Sequence, residues 1–442
     1  MAKRSRRRVM PEPFDVEIEG LSHEGRGISH HNGKTVFVFG ALPGETVKIE
    51  INKTNKTYAE ATTLEVIKAS PDRVEAHCPH FSLCGGCSMQ HVSQQTQLKI
   101  KQDSVLEMMQ HAGLEIGEIL PPITSEPWGY RRKARLGVKF VIKKQRLLIG
   151  FRERNKPYLA DMQSCAILVK EVGLHLTDLM ALITEMDAKD SIAQIEMATD
   201  DDHCMLVFRH LKELSDSDLE KLTQFAKDSG LWVALQAEGP DSITPLYPEL
   251  QELRFKPLAD NDISIRFKAN DFTQVNAAVN QAMVKQALDF LDLQPDDKVL
   301  DLFCGLGNFT LPMAQLAAQV TGVEGDEAMV QRARENALEH SITNTEYFAE
   351  DLTKIEHKPR WMKQKYDKIL LDPPRSGAFE VVEQLKSMKA STIVYVSCQP
   401  TSLVRDALLL CKSGYRLTHL GLMDMLPHTA HVESMAVFKK KN

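Results

Sequence analysis

Hydrophobic and polar residues alternate over the first part of the chain, from Phe14 to about Ile67. A period of two is typical of strands with one buried face, and the glycines between these runs mark turns. Short strands at this spacing predict a small closed β-barrel of about sixty residues, akin to the oligonucleotide-binding barrels. The alternating apolar positions are Val16, Ile18, Val36, Val38, Val47, Ile49 and Ile51.

The pattern changes after about Val284, where short apolar strands alternate with helical runs. This alternation predicts a doubly wound α/β domain built on a parallel sheet. The clearest helix covers 326–340, and another is predicted earlier in the chain, over 92–111. The predicted strands are 298–303, 319–324, 345–349, 366–371 and 392–397, followed by strand-like segments over 416–423 and 432–439.

Basic residues gather in two stretches. The first is an N-terminal tail with Lys3, Arg4, Arg6, Arg7 and Arg8, which is either solvated or an RNA-contacting arm. The second is 131–156, where eleven Lys or Arg residues interleave with apolar ones and Glu153 is the single acid. Phosphate contacts and an ordinary solvated sheet face are equally good interpretations of that second stretch. Mixed helices and strands over 160–266 complete a second domain.

Composition places the chain among ordinary globular proteins, with 43% hydrophobic and 26% charged residues in 442. No apolar run reaches membrane-spanning length and no hydrophobic leader follows the N-terminus, so we expect a cytoplasmic protein with no membrane partner. In a cytosolic chain, eight cysteines argue for metal binding or catalysis rather than disulfides. The net charge of −6 does not by itself favour nucleic acid.

Three cysteines lie close together on a glycine-rich stretch, Cys78, Cys84 and Cys87, with two glycines between the last two. Clustered thiolates are ligands for zinc or for an iron–sulfur cluster. The paired CxxC motifs of a zinc ribbon are missing, which favours iron–sulfur. Either Cys165 or Cys204 is available as a fourth ligand.

A Gly-x-Gly turn, Gly305 to Gly307, follows the strand predicted over 298–303 and opens a helix. Such a turn lets the backbone approach a nucleoside and offers free N–H groups. Glu324 ends the next strand, where a carboxylate can hold ribose hydroxyls. Thr310 stands where a dinucleotide site has its third glycine, so S-adenosylmethionine is a better ligand than NAD.

Two further strands end in residues that can carry chemistry. The fourth strand runs into Asp372-Pro-Pro-Arg375, a rigid turn that presents a carboxylate. Adenine-N6 methyltransferases have an aromatic residue at the place of Arg375, so amino-group methylation is disfavoured. The fifth strand ends at Cys398, and a cysteine there can be a nucleophile if a helix N-terminus or a nearby base lowers its pKa. Glu433, before the last strand, is a candidate general base.

These motifs together resemble the RNA uracil-C5 methyltransferase family. The resemblance rests on 301–310, on Asp372 to Arg375, on Ser397-Cys398-Gln399-Pro400 and on 431–435. The N-terminal barrel resembles a TRAM domain, and the cysteine loop is similar to that family's [4Fe-4S] site. Together these features cover nearly the whole chain. A chain with both barrel and cluster resembles the ribosomal RNA branch of the family, since tRNA-specific relatives lack both and a shorter ribosomal relative lacks the barrel.

The resemblance implies a class I S-adenosylmethionine-dependent fold and a set of roles. Cys398 is the implied nucleophile and Glu433 the implied base. The implied cofactor contacts are Gln274, Phe303, Asn308, Glu324, Asp351 and Asp372. The implied cluster ligands are Cys78, Cys84, Cys87 and Cys165, which selects Cys165 over Cys204.

Two positions depart from the family pattern. Gln399 stands where asparagine is usual before the proline, which keeps the amide but alters the expected uracil contacts. Asp351 stands where relatives carry asparagine, which weakens its assignment to the adenine.

The implied substrate is a loop or single-stranded uridine in 23S ribosomal RNA, and a monomer is expected. A tRNA or dual-site specificity is the alternative within the enzyme class, and a noncatalytic RNA-binding factor is the alternative outside it. The predicted parts are a basic tail over 1–11, a TRAM barrel over 12–70, a central iron–sulfur and RNA-binding domain over 71–91 and 126–266, and a methyltransferase domain over 92–125 and 267–442.

Overall fold

The computed structural model describes residues 11–355 and 358–441. The basic residues Lys3 to Arg8 lie outside the described residues. The chain divides into two compact units. Among the described residues, the first comprises 11–104, 151–160 and 428–430, and the second comprises 105–150, 161–355, 358–427 and 431–441. The predicted division into a tail and three domains stays a prediction.

The first unit contains a six-stranded sheet whose inner face is apolar. Its order is β1-β5-β6-β4-β3-β2. The alternating residues that the sequence singled out point to one side and form its core, together with Ala41, Ala59 and Ala61. The strands are β1 Phe14–Glu17, β2 Gly20–Leu21, β3 Gly27–His31, β4 Lys34–Phe39, β5 Thr46–Thr54 and β6 Tyr58–Lys68. Helix α1, Gln94–His111, then leads into the second unit.

A second six-stranded sheet lies in the middle of the chain, within the second unit, in the order β13-β12-β11-β10-β8-β9. The elements of this part are β7 Glu118–Ile119, β8 Lys133–Val141, β9 Arg146–Gly150, α2 Lys170–Gly173, α3 Leu176–Glu185, β10 Ile192–Thr199, β11 Cys204–His210, α4 Asp216–Ser229, β12 Trp232–Gln236, β13 Ile243–Tyr247, β14 Leu253–Phe255 and β15 Ile265–Phe267. Strands β14 and β15 form a hairpin of their own.

The large sheet of the second unit is the predicted doubly wound fold, in the order β18-β17-β16-β19-β20-β22-β21-β7. The first five strands of this order are parallel, and β22 runs antiparallel to β20. The elements are α5 Ala277–Leu291, β16 Lys298–Leu302, α6 Thr310–Ala314, β17 Gln319–Glu324, α7 Glu327–Glu339, β18 Thr345–Ala349, β19 Lys368–Leu371, α8 Phe379–Leu385, β20 Thr392–Ser397, α9 Pro400–Lys412, β21 Tyr415–Met423 and β22 Glu433–Lys440.

Helices cover this sheet because its strands are apolar on both faces. Val394 and Val396 of β20 pack with Met283 and Ala287 of α5 in one apolar cluster. Among the described residues, no helix is both long enough and apolar enough to cross a bilayer.

Gly322 of β17 lies where a side chain has no room. A Cβ added there would lie 2.8 Å from Cδ1 of Tyr347 and 2.9 Å from the sulfur of Cys304. We therefore expect Gly322→Ala to cost about 1–3 kcal/mol of stability through overpacking. Calorimetry of the intact protein should show a melting temperature lower by a few degrees.

Gly325→Ala is the matched control, because the nearest atom to a Cβ at Gly325 is 3.9 Å away. Equal melting temperatures for the two variants would contradict the close packing of β17.

Candidate active site

Four neighbouring parallel strands, β17, β16, β19 and β20, end at the same edge of the large sheet. In their register Leu302 pairs with both Val323 and Leu371, and Leu371 pairs in turn with Tyr395. Ligands of doubly wound sheets bind at this edge. The residues that close or follow these strand ends are Phe303, Glu324, Asp372 and Cys398.

The turn after β16 begins one residue earlier than the sequence predicted. Phe303 has φ +64°, so the strand ends at Leu302, and the Phe303 N–H donates to the Val323 carbonyl over 2.8 Å. Gly305 and Gly307 also have positive φ values, +53° and +97°. A left-handed backbone conformation costs free energy at a non-glycine residue, and residues with this conformation are common at functional sites. Phe303 thereby leaves the strand at the edge where ligands bind.

The Glu324 carboxylate is tied to the turns around it. Oε2 accepts from the Gly305 N–H over 3.1 Å, and Oε1 accepts from Gly325 over 2.7 Å and from Asp326 over 3.2 Å. These bonds link the end of β17 to the Gly-x-Gly turn after β16. The predicted ribose carboxylate and the predicted glycine turn are therefore parts of one arrangement.

Asn308 and Asp301 belong to polar pairs that the sequence did not reveal. The amides of Asn308 and Asn280 exchange two hydrogen bonds of 2.9 and 3.0 Å. The Thr310 hydroxyl donates to Asp301 Oδ2 over 2.5 Å. Burial raises the pKa of Asp301 to about 8, despite that hydrogen bond. Thr310, where a dinucleotide site has glycine, therefore supports a buried carboxyl beneath the turn.

Gln274 and Asp351 lie on other segments of the second unit. Gln274 lines a small cleft with Asn280, Phe267 and Arg132. Asp351 follows β18 and is exposed. Its Oδ1 accepts from the hydroxyl and the N–H of Thr353, over 2.6 and 3.0 Å, and these bonds lower the pKa of Asp351.

The antiparallel register of β20 and β22 brings Cys398 and Glu433 to the same part of the sheet edge. Ser397 pairs with Ser434, so Cys398, which follows Ser397, and Glu433, which precedes Ser434, lie at the same end of the paired strands. Burial raises the pKa of the Cys398 thiol to about 11, and the carboxylates of Glu433 and then Asp372 raise it as well. The Arg375 guanidinium lowers the pKa of the same thiol.

The sequence missed two features of this part of the site. Arg375 acts on Cys398, although it drew attention only by standing where other enzymes have an aromatic residue. Burial raises the pKa of Asp372 to about 7, which the sequence gave no means of anticipating.

Gln399 caps the start of α9 without a side-chain bond to the helix backbone, and its amide donates to the Thr401 hydroxyl over 3.0 Å.

The cysteine loop lies in the first unit and is held by Arg154. The guanidinium donates to the carbonyls of Phe81, Cys84 and Cys87 over 3.1, 2.7 and 2.6 Å. It also stacks on Phe39, 3.4 Å from the ring centre. Burial lowers the pKa of Arg154 to about 10, against the opposing effect of Cys84 and Cys87.

The four predicted cluster ligands do not all lie in the same unit. Cys78, Cys84 and Cys87 belong to the first unit and Cys165 to the second, and none of the four forms a disulfide bond. Burial raises the pKa of Cys78 and of Cys84. Over 11–355 and 358–441, no group of three or more His, Cys, Asp or Glu side chains is arranged to hold a metal ion.

The basic stretch 131–156 is not uniformly a surface. Lys133 is largely enclosed and donates to the Asp271 carbonyl, and Arg132 pairs with Asp201 at 2.5 Å. Arg154 is committed to the cysteine loop. Lys139, Lys143 and Lys144 are exposed and lie on β8 and the turn that follows it.

The fold and the strand-end site define an S-adenosylmethionine-dependent methyltransferase of the doubly wound type. The model of the tRNA (Uracil-5-)-methyltransferase family matches residues 93–441, and that of the TRAM domain matches 12–64. The chain therefore belongs to this uracil-5 methyltransferase family, which confirms the resemblance inferred from the motifs.

Two relatives match along their whole length. The chain is 48% identical to the 23S rRNA (uracil(1939)-C(5))-methyltransferase RlmD of Alkalilimnicola ehrlichii and 47% identical to that of Hahella chejuensis, with 99% of each chain covered in both comparisons. A crystal structure of Pyrococcus abyssi tRNA (uracil-54, C5)-methyltransferase with S-adenosyl-L-homocysteine has a TM-score of 0.72 at 20% identity. It covers 96% of this chain and 100% of its own, which supports the fold.

The charges around Cys398 predict how the thiol responds to Glu433→Gln. Removing this carboxylate should lower the pKa of the thiol, because the Glu433 charge is one of the causes that raise it. At pH 8 the gain in thiolate fraction exceeds the loss in nucleophilicity, so iodoacetamide should alkylate Cys398 about three- to fivefold faster. Mass spectrometry of the Cys398 peptide measures the rate.

Cys411 in the same sample is the internal control, because burial rather than Glu433 raises the pKa of its thiol. An unchanged rate at Cys398 would contradict the proximity of the two groups.

Proposed function

We propose that the protein transfers a methyl group from S-adenosylmethionine to C5 of a uridine in 23S ribosomal RNA. The observation that carries the proposal is the antiparallel register of β20 and β22, with Cys398 and Glu433 at one point of the sheet edge. A thiol beside a carboxylate serves a reaction that needs both a nucleophile and a base. The full-length similarity to two 23S rRNA enzymes supports this choice of substrate.

Cys398 begins the proposed reaction. Uracil C5 is a poor nucleophile until C6 carries a substituent. The Cys398 thiolate adds to C6, a carbon–sulfur bond forms, and the electron pair moves to C5 and O4 as an enolate. S-adenosylmethionine supplies the methyl group that C5 then takes.

Glu433 completes the reaction. The adduct carries both a hydrogen and the new methyl group at C5. Glu433 accepts the C5 proton, the C5–C6 double bond re-forms, and the bond between C6 and the Cys398 sulfur breaks. Cys398 leaves as the thiolate that began the reaction. Glu433 then releases its proton to solvent, so the protein undergoes no net change.

The cofactor residues are assigned by their positions at the sheet edge. We assign Glu324 to the ribose hydroxyls, since its carboxylate lies beside the Gly305 turn. Asp372 and Phe303 follow the neighbouring strand ends. The other assigned contacts are Gln274, Asn308 and Asp351.

RNA is held, in this proposal, through the exposed Lys139, Lys143 and Lys144 and through the TRAM barrel. C6 is inaccessible in a stack, so the target base has to be flipped out. The relatives at 48% and 47% identity are 23S rRNA enzymes, so tRNA is the less favoured substrate. An enzyme acting on ribosomal RNA works in the cytoplasm.

The central test uses labelled S-adenosylmethionine with unmodified 23S rRNA and with a tRNA pool. Label should appear in 23S rRNA and be released by digestion as 5-methyluridine. Cys398→Ala should lose at least about a thousandfold in rate because no adduct forms, while cofactor binding measured by calorimetry stays unchanged. Glu433→Gln should accumulate a covalent RNA–protein adduct on a denaturing gel.

Label in tRNA alone would overturn the substrate and keep the chemistry. Methylation by Cys398→Ala would overturn the role of the thiol. No label in either RNA, with cofactor bound, would favour a noncatalytic RNA-binding factor.

We also propose a [4Fe-4S] cluster held by Cys78, Cys84, Cys87 and Cys165. The donor set suits it, because four cysteine thiols outside any disulfide supply the soft ligands that iron–sulfur clusters need. Buried thiols ionise with difficulty, and bound iron offsets that cost. Arg154 orders the loop through three backbone carbonyls, which supports a ligand-bearing role for the loop.

Protein purified anaerobically should contain about four irons and four sulfides per chain. Cys165→Ser should lose most of both and the visible absorbance, measured without any assay of activity. Cys204→Ser is the matched control, since Cys204 is also a buried thiol of the second unit and its pKa is raised by burial to about 12. Equal iron content in the two variants would exclude Cys165 as a ligand.

A further inference from the structure

Asp406, on α9, is a fully buried carboxylate that three segments of the chain approach. Its Oδ2 accepts from the Tyr395 hydroxyl over 2.6 Å and from the Ala378 N–H over 2.7 Å. Its Oδ1 accepts from Arg405 Nε over 2.8 Å. A buried charge is costly unless it is paired and hydrogen-bonded, and here each bond comes from a different element. Asp406 therefore joins β20, the start of α8 and α9 at one point.

The segment from Asp372 to Ala378 is attached at both ends. At its start the Asp372 N–H donates to the Leu302 carbonyl over 3.2 Å. At its end Arg405 Nη2 donates to the Ser376 carbonyl over 2.9 Å, in addition to the bond between Ala378 and Asp406. Arg375 lies between these two attachments, on a turn closed by the 2.8 Å bond from the Gly377 N–H to the Pro374 carbonyl.

Gly377 shows how closely this segment approaches α9. Its φ is +78°, and an added Cβ would lie 2.6 Å from Arg405 Nη2 and 2.7 Å from Asp406 Oδ2. Any larger residue would clash with these side chains. Only glycine at position 377 therefore lets this segment come so close to the buried carboxylate of Asp406.

The same carboxylate also holds the strand that ends at Cys398. Tyr395 lies three residues before Cys398 and is completely buried. Its hydroxyl donates to Asp406. Tyr395 pairs in register with Leu371, the residue before Asp372. The strand that leads to Cys398 and the segment that carries Arg375 are thus tied to each other both by the sheet and by Asp406.

The charged groups that act on Cys398 come from two elements packed beside it. Glu433 lies on β22, and Asp372 and Arg375 lie on the segment after β19. The two carboxylates oppose ionisation of the thiol and Arg375 favours it. The position of the Arg375 guanidinium therefore affects how readily the Cys398 thiol ionises.

We propose that Asp406 is a positioning residue that fixes the segment 372–378, and with it Arg375, in front of Cys398. The inference rests on the proposed nucleophilic role of Cys398. Tyr395 and Arg405 act with it, the first on the strand and the second on the Ser376 carbonyl. Neither Asp406 nor Tyr395 touches the reacting atoms in this assignment.

The test measures the iodoacetamide alkylation rate of Cys398 at pH 8 in four proteins: the wild type, Asp406→Asn, Arg375→Gln and the double variant. Arg375→Gln should slow alkylation about three- to fivefold, since loss of the guanidinium that lowers the pKa of the thiol leaves less thiolate at pH 8. Asp406→Asn should slow it by a similar factor. The double variant should be no slower than Arg375→Gln, because both changes act through the same guanidinium.

The direction of the effect separates positioning from simple charge removal. Deleting the negative charge of Asp406 without moving Arg375 would speed alkylation of Cys398, not slow it. A faster or unchanged alkylation rate in Asp406→Asn would overturn the proposal. So would a double variant in which the slowing factors of the two single variants multiply.

Asp218→Asn controls for loss of a buried carboxylate as such. Asp218 is fully buried and accepts from the N–H groups of Asp187 and Ala188 over 2.7 and 3.0 Å, on the central part of the chain. It should destabilise the protein while leaving the Cys398 rate unchanged. If Asp406→Asn does not fold, Tyr395→Phe removes one bond of the same carboxylate, and an unchanged rate in that variant overturns the proposal.

Alkylation needs neither RNA nor cofactor, so this experiment is independent of the methylation assay. If the protein methylates no RNA but the effects of Asp406→Asn and Arg375→Gln are non-additive, the positioning role stands and the proposed function is wrong. If the protein methylates 23S rRNA but the two effects are additive, the function stands and the positioning role is wrong.

Discussion

The register of the strands at the carboxyl edge of the large sheet is the constraint on which the site depends. Because β17, β16, β19 and β20 are parallel, their carboxyl ends lie at one edge of the sheet. Residues that are far apart in sequence therefore meet at that edge. The antiparallel strand β22 then brings Glu433 to this edge from the last part of the chain. A one-residue slip of β22 would turn Glu433 to the opposite face of the sheet, because side chains alternate along a strand.

The electrostatics of this edge favour a cationic ligand. Asp301 and Asp372 have raised pKa values, about 8 and about 7, because burial disfavours their charged forms. Carboxylates also raise the pKa of Cys398. A bound positive charge relieves each of these penalties, which suits a sulfonium cofactor better than a neutral or anionic one. Arg375 supplies part of that compensation at the thiol.

Charged side chains hold the two segments that carry chemistry. Arg154 holds the cysteine loop by donating to three carbonyls, and Asp406 with Arg405 holds the segment that carries Arg375. Neither segment is a helix or a strand, so its backbone groups have no regular partners. A charged side chain that bonds several backbone groups in such a place fixes a conformation that the local sequence does not specify.

Much of the fold could be predicted from periodicity alone. The strands at Gln319–Glu324, Thr345–Ala349 and Thr392–Ser397 have the bounds that their apolar runs predicted, since the ends of these runs coincide with turn residues. The strand before Phe303 is one residue shorter, because the left-handed backbone there reflects a bond to Val323 on the next strand. Local patterns contain no information on such a partner.

The chemistry of the site divides in the same way. The sequence by itself determined which residues are available: a thiol after an apolar strand, a glycine turn, carboxylates at strand ends and a cysteine loop. Only the tertiary structure decided which of them act on each other, such as Arg375 on Cys398 and Asp406 on the segment between them. The reason is physical, because distance and burial set pKa values and hydrogen bonds, and both arise only when separate strands and helices pack together.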